Sequence, residues 1–353
     1  MKALIFTDSG KSSIADLKEP TINDFELLVQ VKACAVCGTD IKLDKGLGTK
    51  LTKHGIKNML FPKVTGHEIS GIIRDKGKQV KGFEVGERVN ITPVIPCMNC
   101  SYCKKGHFEM CDDKVTFGFD IDGGFAQYIR IPEIAIKADC VNKITENLSF
   151  EEATFAEPLA VVLNSQERSR VKSGDSILII GAGPIGILQL QVARYNKASK
   201  IFIAEIFEER LNFAKNFNPD ALINSKNKNI VDAVLNLTDG EGVDSVMICA
   251  SDKNMFAQSL KITRKLGIVN YFAGLPKDDS IIALDANLIH YNELEITGTS
   301  DSTPQQSKKA IELLNNGKVS VDNLITHRFP LENYFEGLAA AKSGTAMKVV
   351  VTV

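Results

Sequence analysis

The sequence predicts an α/β fold with two domains, one of which contains a doubly wound parallel sheet. The chain has 353 residues, more than one ordinary domain holds. Residues 177–180 are continuously apolar, as expected for a parallel strand that is covered on both faces. A glycine-rich turn follows this strand, and residues 185–195 then carry apolar side chains at helical spacing. Residues 242–251, 267–275 and 294–300 resemble further strands with helices between them, which is the alternation of a parallel α/β sheet.

The glycine-rich turn has the spacing of a dinucleotide-binding motif. Gly181, Gly183 and Gly186 form G-x-G-x-x-G between a strand and a helix, which brings backbone N–H groups to a pyrophosphate. Glu205 ends the next apolar segment, where an acid hydrogen-bonds the ribose hydroxyls of NAD and repels the extra phosphate of NADP. An exposed acid at a strand end is the alternative interpretation of Glu205. The sequence predicts NAD as the cofactor, and the predicted cofactor-binding residues are Gly181, Gly183, Pro184, Ile185, Gly186, Glu205 and Arg210.

One short segment contains half of the eight cysteines, at the spacing C-x2-C-x2-C-x7-C: Cys97, Cys100, Cys103 and Cys111. Four thiolates at this spacing can enclose a zinc ion in the closed tetrahedral geometry of a structural site. An iron–sulfur cluster and metal-free thiols are the alternatives, but the ferredoxin pattern continues as C-x3-C-P and this segment does not. The sequence predicts a structural zinc lobe over about residues 95–113, which stabilises the fold and leaves no coordination position open for chemistry.

A further cysteine, a histidine and two acids predict a second, open metal site. Cys37, His67 and Glu68 offer sulfur, nitrogen and oxygen, and three protein ligands plus a water are typical of catalytic zinc. Glu157 has the right chemistry for a fourth ligand or for holding the metal-bound water. Thr39 follows Cys37 by two residues, and its hydroxyl can accept the proton of a zinc-bound alcohol. A buried core histidine is the alternative for His67 alone, and a strand or turn hydroxyl is the alternative for Thr39.

Three polar or reactive residues near these motifs are assigned to structure. Cys34 and Cys249 are predicted as small buried residues within strands. Asp40 is predicted to orient the local backbone or the surroundings of the metal ligands, without reacting itself.

Composition excludes several functional classes. A formal net charge of −1 gives no electrostatic footprint for nucleic acid or an anionic membrane, and 44% hydrophobic residues exclude a disordered chain. Apolar runs are shorter than the roughly 18 residues of a membrane span, and residues 1–10 lack the apolar core of a signal peptide. We expect a cytoplasmic location, where thiols are kept reduced and a cysteine cluster more often binds metal than forms disulfides.

Together these motifs resemble those of the zinc-dependent medium-chain dehydrogenases. The resemblance covers essentially the whole chain and rests on Gly-His-Glu, the four-cysteine segment, DGGFAQY (122–128), the glycine-rich turn and LITHRFPLE (324–332). It implies a GroES-like, β-rich catalytic domain formed by residues 1–153 and 295–353. It implies a Rossmann NAD-binding domain formed by residues 154–294, with the active site in the cleft between the two domains.

The segment Glu157-Pro-Leu-Ala is similar to the polyol (sorbitol-type) branch of the family. The resemblance implies Cys37, His67 and Glu68 as ligands of a catalytic zinc, with Glu157 as ligand or water-holder. The implied activity is the reversible, NAD-dependent oxidation of a secondary alcohol of a polyol or sugar alcohol to a ketone, with Thr39 relaying the proton. The resemblance also implies a homo-oligomer, a tetramer or a dimer, with a small molecule as the substrate.

Departures from the family pattern leave the substrate open. L-threonine 3-dehydrogenases and sugar-phosphate dehydrogenases, such as galactitol-1-phosphate dehydrogenase, share nearly every motif, and an NAD-binding redox sensor is the non-enzymatic alternative. Lys42 replaces the histidine that ends the proton relay in many relatives, so we expect a shorter relay to water. The lysine-rich segment 42–62 is predicted as a solvated loop, with a lid or a binder of a phosphorylated substrate as the alternative. Residues 298–306 lack the Arg-Tyr pair that animal sorbitol dehydrogenases use near their substrate.

Overall fold

Two compact units make up the chain. The computed structural model describes residues 1–46, 49–52, 55–276 and 279–353, with the backbone alone for 49–52 and 55–58. Unit 1 consists of Met1–Ala160 and Asp301–Val353, and unit 2 consists of Val161–Ser300. The domain limits at 153 and 295 that the resemblance implies stay predictions.

The strands are numbered in chain order. They are β1 Lys2–Asp8, β2 Lys11–Asp16, β3 Leu27–Ala35, β4 Thr49–Thr52, β5 Gly55–Asn58, β6 Lys63–Val64, β7 Glu68–Lys76, β8 Arg88–Ile91, β9 Val94–Ile95, β10 Val115–Thr116, β11 Tyr128–Ile131, β12 Val141–Lys143, β13 Ser176–Ile180, β14 Lys200–Glu205, β15 Ala221–Asn224, β16 Val243–Ile248, β17 Thr263–Tyr271, β18 Glu295–Gly298, β19 Ile325–Pro330 and β20 Lys348–Thr352.

The helices are numbered in the same way. They are α1 Gly38–Asp44, α2 Glu133–Lys137, α3 Phe150–Ala153, α4 Ala156–Arg168, α5 Pro184–Tyr195, α6 Glu208–Ala214, α7 Ile230–Leu237, α8 Lys253–Ile262, α9 Ala286–Asn292, α10 Pro304–Asn315 and α11 Tyr334–Lys342. No helix among the described residues is long and apolar enough to cross a membrane.

Unit 1 is built on a mostly antiparallel sheet with the strand order β12-β8-β7-β3-β20-β19, and β11 also pairs with β3. The central strands β3, β7 and β20 are buried along most of their length, because apolar side chains cover both of their faces. Val29, Ile69 and Val351 from these three strands belong to one apolar core. The sheet therefore gives a rigid base to the chain segments that begin or end at its edge.

Unit 2 is a parallel sheet with the strand order β15-β14-β13-β16-β17-β18. The order runs outward in both directions from β13, as in a doubly wound sheet. Helix α5 begins at Pro184, directly after the glycine-rich turn, because the fixed φ of proline suits the first helical position. The prediction of a doubly wound parallel sheet with strands in 177–180, 242–251, 267–275 and 294–300 is confirmed.

The segment 42–62 differs from the predicted loop. Strands β4 and β5 form a two-stranded antiparallel sheet that pairs Thr49 with Asn58. Pairing of this kind satisfies backbone hydrogen-bonding groups that a loop would leave to water. Lys42 lies in the last turn of α1. The alternative of a lid or phosphate-binding segment depends on side chains outside the described residues.

Candidate active site

Cys37 lies where β3 gives way to α1. It is the residue immediately before the helix, and its backbone N–H donates a 2.8 Å hydrogen bond to Oδ2 of Asp40. Asp40 is buried, and burial is the main cause that raises the pKa of its carboxyl group, while His67 and the Cys37 N–H lower it. The carboxylate therefore fixes the backbone that carries the thiol, which confirms the predicted role of Asp40 in orienting the local backbone.

Glu68 begins β7, the strand next to β3, and His67 directly precedes it. The register pairs Glu68 with Ala35, which brings Glu68 to the end of β3 from which Cys37 follows. The ligand atoms of Cys37, His67 and Glu68 all lie within 4.8 Å of one another. Three residues from two distant parts of the sequence thus converge beside the adjoining ends of β3 and β7.

Glycines shape the backbone that precedes His67. Gly66 has a φ of +92°, and a Cβ on Gly66 would lie 2.7 Å from Sγ of Cys34. Gly123 packs against this turn so closely that a Cβ there would lie 2.1 Å from the Gly66 carbonyl oxygen. A Cβ on Gly118 would lie 2.8 Å from the same oxygen. Gly123 of the DGGFAQY motif thus allows its segment to pack directly against the backbone turn at Gly66, which precedes His67.

The chemistry of the three donors fits a zinc ion. His67 and Glu68 are buried, and Nδ1 of His67 has no hydrogen-bond partner among the described residues. Burial lowers the pKa of His67, but the Cys37 thiol and the carboxyls of Asp40 and Glu157 outweigh burial and raise that pKa well above its ordinary value. Negative charge is therefore concentrated around a buried nitrogen, and a soft, a borderline and a hard donor together suit zinc.

Glu157 and Thr39 lie beside this group. Glu157 is in the first turn of α4 and is not one of the three donors that lie within 4.8 Å of one another. Burial and the neighbouring Glu68 carboxylate raise the pKa of Glu157 to about 7, and His67 lowers it in part. Oγ1 of Thr39 lies 3.6 Å from Sγ of Cys37. The structure therefore brings every residue predicted for the open site into one region of unit 1, with Glu157 outside the tight donor group.

The four-cysteine segment forms a separate closed group. The sulfur atoms of Cys97, Cys100, Cys103 and Cys111 lie within 4.8 Å of one another. The backbone N–H of Cys97 donates to Sγ of Cys111 at 3.2 Å, and the N–H of Cys100 donates to Sγ of Cys97 at 3.3 Å. Hydrogen bonds from backbone N–H groups lower the pKa of the Cys100 thiol to about 6, and the bond from Cys103 has the largest effect. None of the four forms a disulfide, and donors aimed at sulfur stabilise thiolates, so the group fits a structural zinc.

The glycine-rich turn and Glu205 meet in unit 2. A Cβ on Gly186 would lie 1.9 Å from the Gly181 carbonyl oxygen, so the turn requires glycine there. The Glu205 carboxylate accepts hydrogen bonds from the backbone N–H of Ala182 at 2.9 Å and of Ile206 at 2.7 Å. Glu205 is buried, so the alternative of an exposed acid is wrong. Nη1 of Arg210 lies 3.9 Å from Oε2 of Glu205, which adds a cation beside the turn.

Comparison with known proteins agrees with both halves of the structure. The model of the alcohol dehydrogenase GroES-like domain matches residues 23–139, and the model of the zinc-binding dehydrogenases matches residues 184–316. Sorbitol dehydrogenase of Halalkalibacterium halodurans is 30% identical over 356 residues, which cover 100% of this chain and 99% of that protein. The chain belongs to the zinc-binding dehydrogenase family. L-threonine 3-dehydrogenase of Pyrococcus furiosus is also 30% identical, over 96% of this chain and 94% of the relative.

A solved structure supports the fold of this dehydrogenase over its full length. A zinc-binding dehydrogenase from Sinorhizobium meliloti, solved with NADP bound, has a TM-score of 0.91 and 26% sequence identity over 100% of this chain and 99% of that chain. The predicted GroES-like and Rossmann fold class is confirmed. The protein is therefore an enzyme of the zinc-dependent, nicotinamide-dependent dehydrogenase class, and the redox-sensor alternative is set aside.

Sequence reasoning missed one residue of the dehydrogenase site. Lys348, at the start of β20, contacts both carboxylate oxygens of Glu68, and its Nζ lies 2.6 Å from Oε1. Burial lowers the pKa of Lys348, but Glu68 and Cys37 outweigh burial and raise it. The sequence feature that could have identified Lys348 is a single lysine directly before the apolar run Val349–Val351, because such a run predicts a buried strand.

Proposed function

We propose that this dehydrogenase reversibly oxidises a secondary alcohol of a polyol or sugar alcohol to a ketone, with NAD as the hydride acceptor. A catalytic zinc is held by Cys37, His67 and Glu68, with Glu157 as a further ligand or as the holder of a water. A second zinc is held by the four cysteines of the lobe. The observation that carries the proposal is the set of three donors within 4.8 Å of one another, two of them buried and Cys37 half-buried, with an acid beside them.

Each residue around the three donors has its own role in the proposed reaction. When bound, zinc supplies a Lewis acid that lowers the pKa of the substrate hydroxyl. Thr39 accepts the hydroxyl proton and passes it toward water, because Lys42 stands where many relatives have the last histidine of the relay. The buried Asp40 keeps the Cys37 backbone in place through its 2.8 Å hydrogen bond. A bound nicotinamide would accept the hydride from the alcohol carbon, and Thr39 would take the hydroxyl proton, so the alcohol would lose two electrons and become a ketone.

Glu205 and the glycine-rich turn select the cofactor in this proposal. The turn presents backbone N–H groups at the start of α5 to the pyrophosphate, together with the partial positive charge of the helix terminus. The buried Glu205 carboxylate accepts the ribose hydroxyls and disfavours the 2′-phosphate of NADP by like-charge repulsion. Residues 154–294 act as the cofactor domain, and residues 1–153 with 295–353 act as the catalytic domain.

A polyol is the proposed substrate class, and two other classes are the alternatives. The polyol assignment is supported by Glu157-Pro-Leu-Ala and by a sorbitol dehydrogenase that matches the whole chain. L-threonine is the second candidate, since an L-threonine 3-dehydrogenase matches with the same 30% identity. A sugar phosphate is the third, because the segment 42–62 contains many lysines. A cytoplasmic location and a homo-oligomer, tetramer or dimer, complete the proposal, and reducing conditions there keep the zinc-binding thiols intact.

The first experiment measures initial rates of NADH formation over one substrate panel: free polyols, sugar phosphates, L-threonine and simple alcohols. Turnover of free polyols supports the proposal, and turnover confined to another class replaces the polyol assignment with that class. Cys37→Ser abolishes turnover and leaves NAD binding intact if the zinc assignment is correct. Cys140→Ser is the matched control, because Cys140 is a buried cysteine of unit 1 outside both metal-binding groups. Retained turnover in Cys37→Ser contradicts the zinc assignment.

A further inference from the structure

A buried asparagine connects the two segments that carry the catalytic acids. Asn90 lies in β8 between the buried Val89 and Ile91. Its Nδ2 donates to the Ile69 carbonyl oxygen at 2.9 Å and to the Ala153 carbonyl oxygen at 3.0 Å. The Asn90 carboxamide therefore hydrogen-bonds to two separate chain segments, β7 and α3.

Each of these carbonyl groups is close in sequence to a residue of the proposed zinc site. Ile69 follows Glu68 directly in β7, and Ala153 ends α3, four residues before Glu157. The two N–H bonds of a carboxamide diverge at a fixed angle, so the two carbonyl oxygens are held at a fixed separation. Loss of the carboxamide would leave both buried oxygens without this donor and would free the two segments to shift relative to each other.

Another side-chain hydrogen bond also joins β7 to α3. The hydroxyl group of Ser70, also in β7, donates to the Phe150 carbonyl oxygen at 2.5 Å. The segment that it contacts is itself ordered, because Ser149 and Glu152 cap α3 reciprocally. Burying an amide and a hydroxyl in a sheet interior is costly unless they are fully hydrogen-bonded. Asn90 and Ser70, on adjacent strands, thus both hydrogen-bond to the short segment 150–153, which leads to Glu157.

We propose that Asn90 is a positioning residue of the zinc site. It fixes the segment that leads to Glu157 relative to β7, which begins at Glu68 directly after His67, and so sets the distance between the Glu157 carboxylate and the three donors. The inference rests on the proposed catalytic zinc. Neither hydrogen bond of the Asn90 carboxamide is to a proposed ligand, so its effect is on how firmly the site retains metal and on the geometry in which the metal is held.

The test follows zinc release from the intact holoenzyme to a colorimetric chelator. Wild type is expected to release zinc in two kinetic classes, and Cys37→Ser identifies the class that belongs to the open site because it lacks that class. Asn90→Ala is expected to accelerate this class about tenfold, the usual effect of losing an outer hydrogen bond at a metal site, and to leave the four-cysteine class unchanged. Cobalt substitution is expected to shift the visible absorption bands of the open site in Asn90→Ala.

Asn142→Ala is the matched control. Asn142 lies directly opposite Asn90 on β12, is buried, and donates to Oγ1 of Thr92 at 3.0 Å, a contact that does not involve the ligand segments. It is expected to lower stability without changing either release class. Equal release from Asn90→Ala and Asn142→Ala overturns the proposal.

Two further outcomes are separable. If Asn90→Ala does not fold, Ser70→Ala is expected to accelerate the same class more weakly, and unchanged release from that variant overturns the proposal. If Cys37→Ser removes no class from wild type, the catalytic zinc assignment has failed, and the inference fails with it for that separate reason.

Discussion

Nζ of Lys348 donates a 2.6 Å hydrogen bond to Oε1 of Glu68, across 280 positions of sequence. The two residues meet because β20 and β7 both pair with β3, where Ala35 is the partner of Val350 on one side and of Glu68 on the other. Both side chains are buried, so neither charge is stabilised by bulk water. Lys348 thus supplies a cation to a buried carboxylate that we also propose as a metal ligand.

Lys348→Met is predicted to lower the free energy of unfolding of the metal-free enzyme by about 3 kcal/mol, because it leaves the Glu68 carboxylate buried without its ammonium partner. The loss is smaller in the zinc-loaded enzyme, where the metal cation compensates that carboxylate. Denaturant unfolding of the two forms measures both values. Lys2→Met removes the half-exposed pair with Glu332 and is expected to change the free energy of unfolding much less, because water screens that pair. Similar losses for the two variants would show that the Lys348 pair contributes no more than a surface pair.

Glu205→Gln is predicted to raise the ratio of NADP to NAD turnover about tenfold. The variant removes the negative charge that repels a 2′-phosphate and weakens a charge-assisted hydrogen bond to the ribose, while an amide oxygen can still accept from Ala182. The kcat/KM values for the two cofactors give the ratio directly. Glu208→Gln is the control, because Glu208 is an exposed acid in the first turn of α6. An unchanged cofactor ratio would remove Glu205 from ribose recognition.

Cys103→Ser is predicted to lower the zinc content from two ions per chain to one and to destabilise unit 1 by several kcal/mol. Metal binding by a closed cysteine site contributes directly to folding, and Cys103 is buried among the other three thiols. Metal analysis and thermal unfolding check the two effects. Cys140→Ser is expected to retain both ions, since Cys140 lies outside the group. Two ions per chain in Cys103→Ser would exclude the four-cysteine site as a zinc site.

Gly123→Ala is predicted to lower the free energy of unfolding by about 1–3 kcal/mol, the usual cost of overpacking. The added Cβ would lie 2.1 Å from the Gly66 carbonyl oxygen and would displace the turn before His67. The same variant is expected to retain less zinc at the open site than wild type. Gly274→Ala is the control, because a Cβ there has no neighbour within 4 Å. Zinc content and the free energy of unfolding are measured for both variants. Equal values for Gly123→Ala and Gly274→Ala would contradict the prediction.

Local motifs made the cofactor half of the molecule predictable. The strand, the turn at Gly181–Gly186 and Glu205 follow one another along the chain, so their order alone indicates how they meet in a parallel sheet. What the sequence did not indicate is that Glu205 is buried and bonded to the turn at Ala182. That contact depends on the register between β13 and β14, which pairs Ile180 with Ala204.

By itself, the sequence predicted the doubly wound sheet and named the residues of the two clusters at which we propose zinc, because spacing and residue type carry that information locally. The tertiary structure alone decided that Lys348 pairs with Glu68 and that Asn90 joins the strand that begins at Glu68 to the segment that precedes Glu157. It also decided that Gly123 lets the chain close behind His67. These contacts depend on which strands pair and in which register, and strand pairing is set by burial of the whole core, which short sequence motifs do not encode.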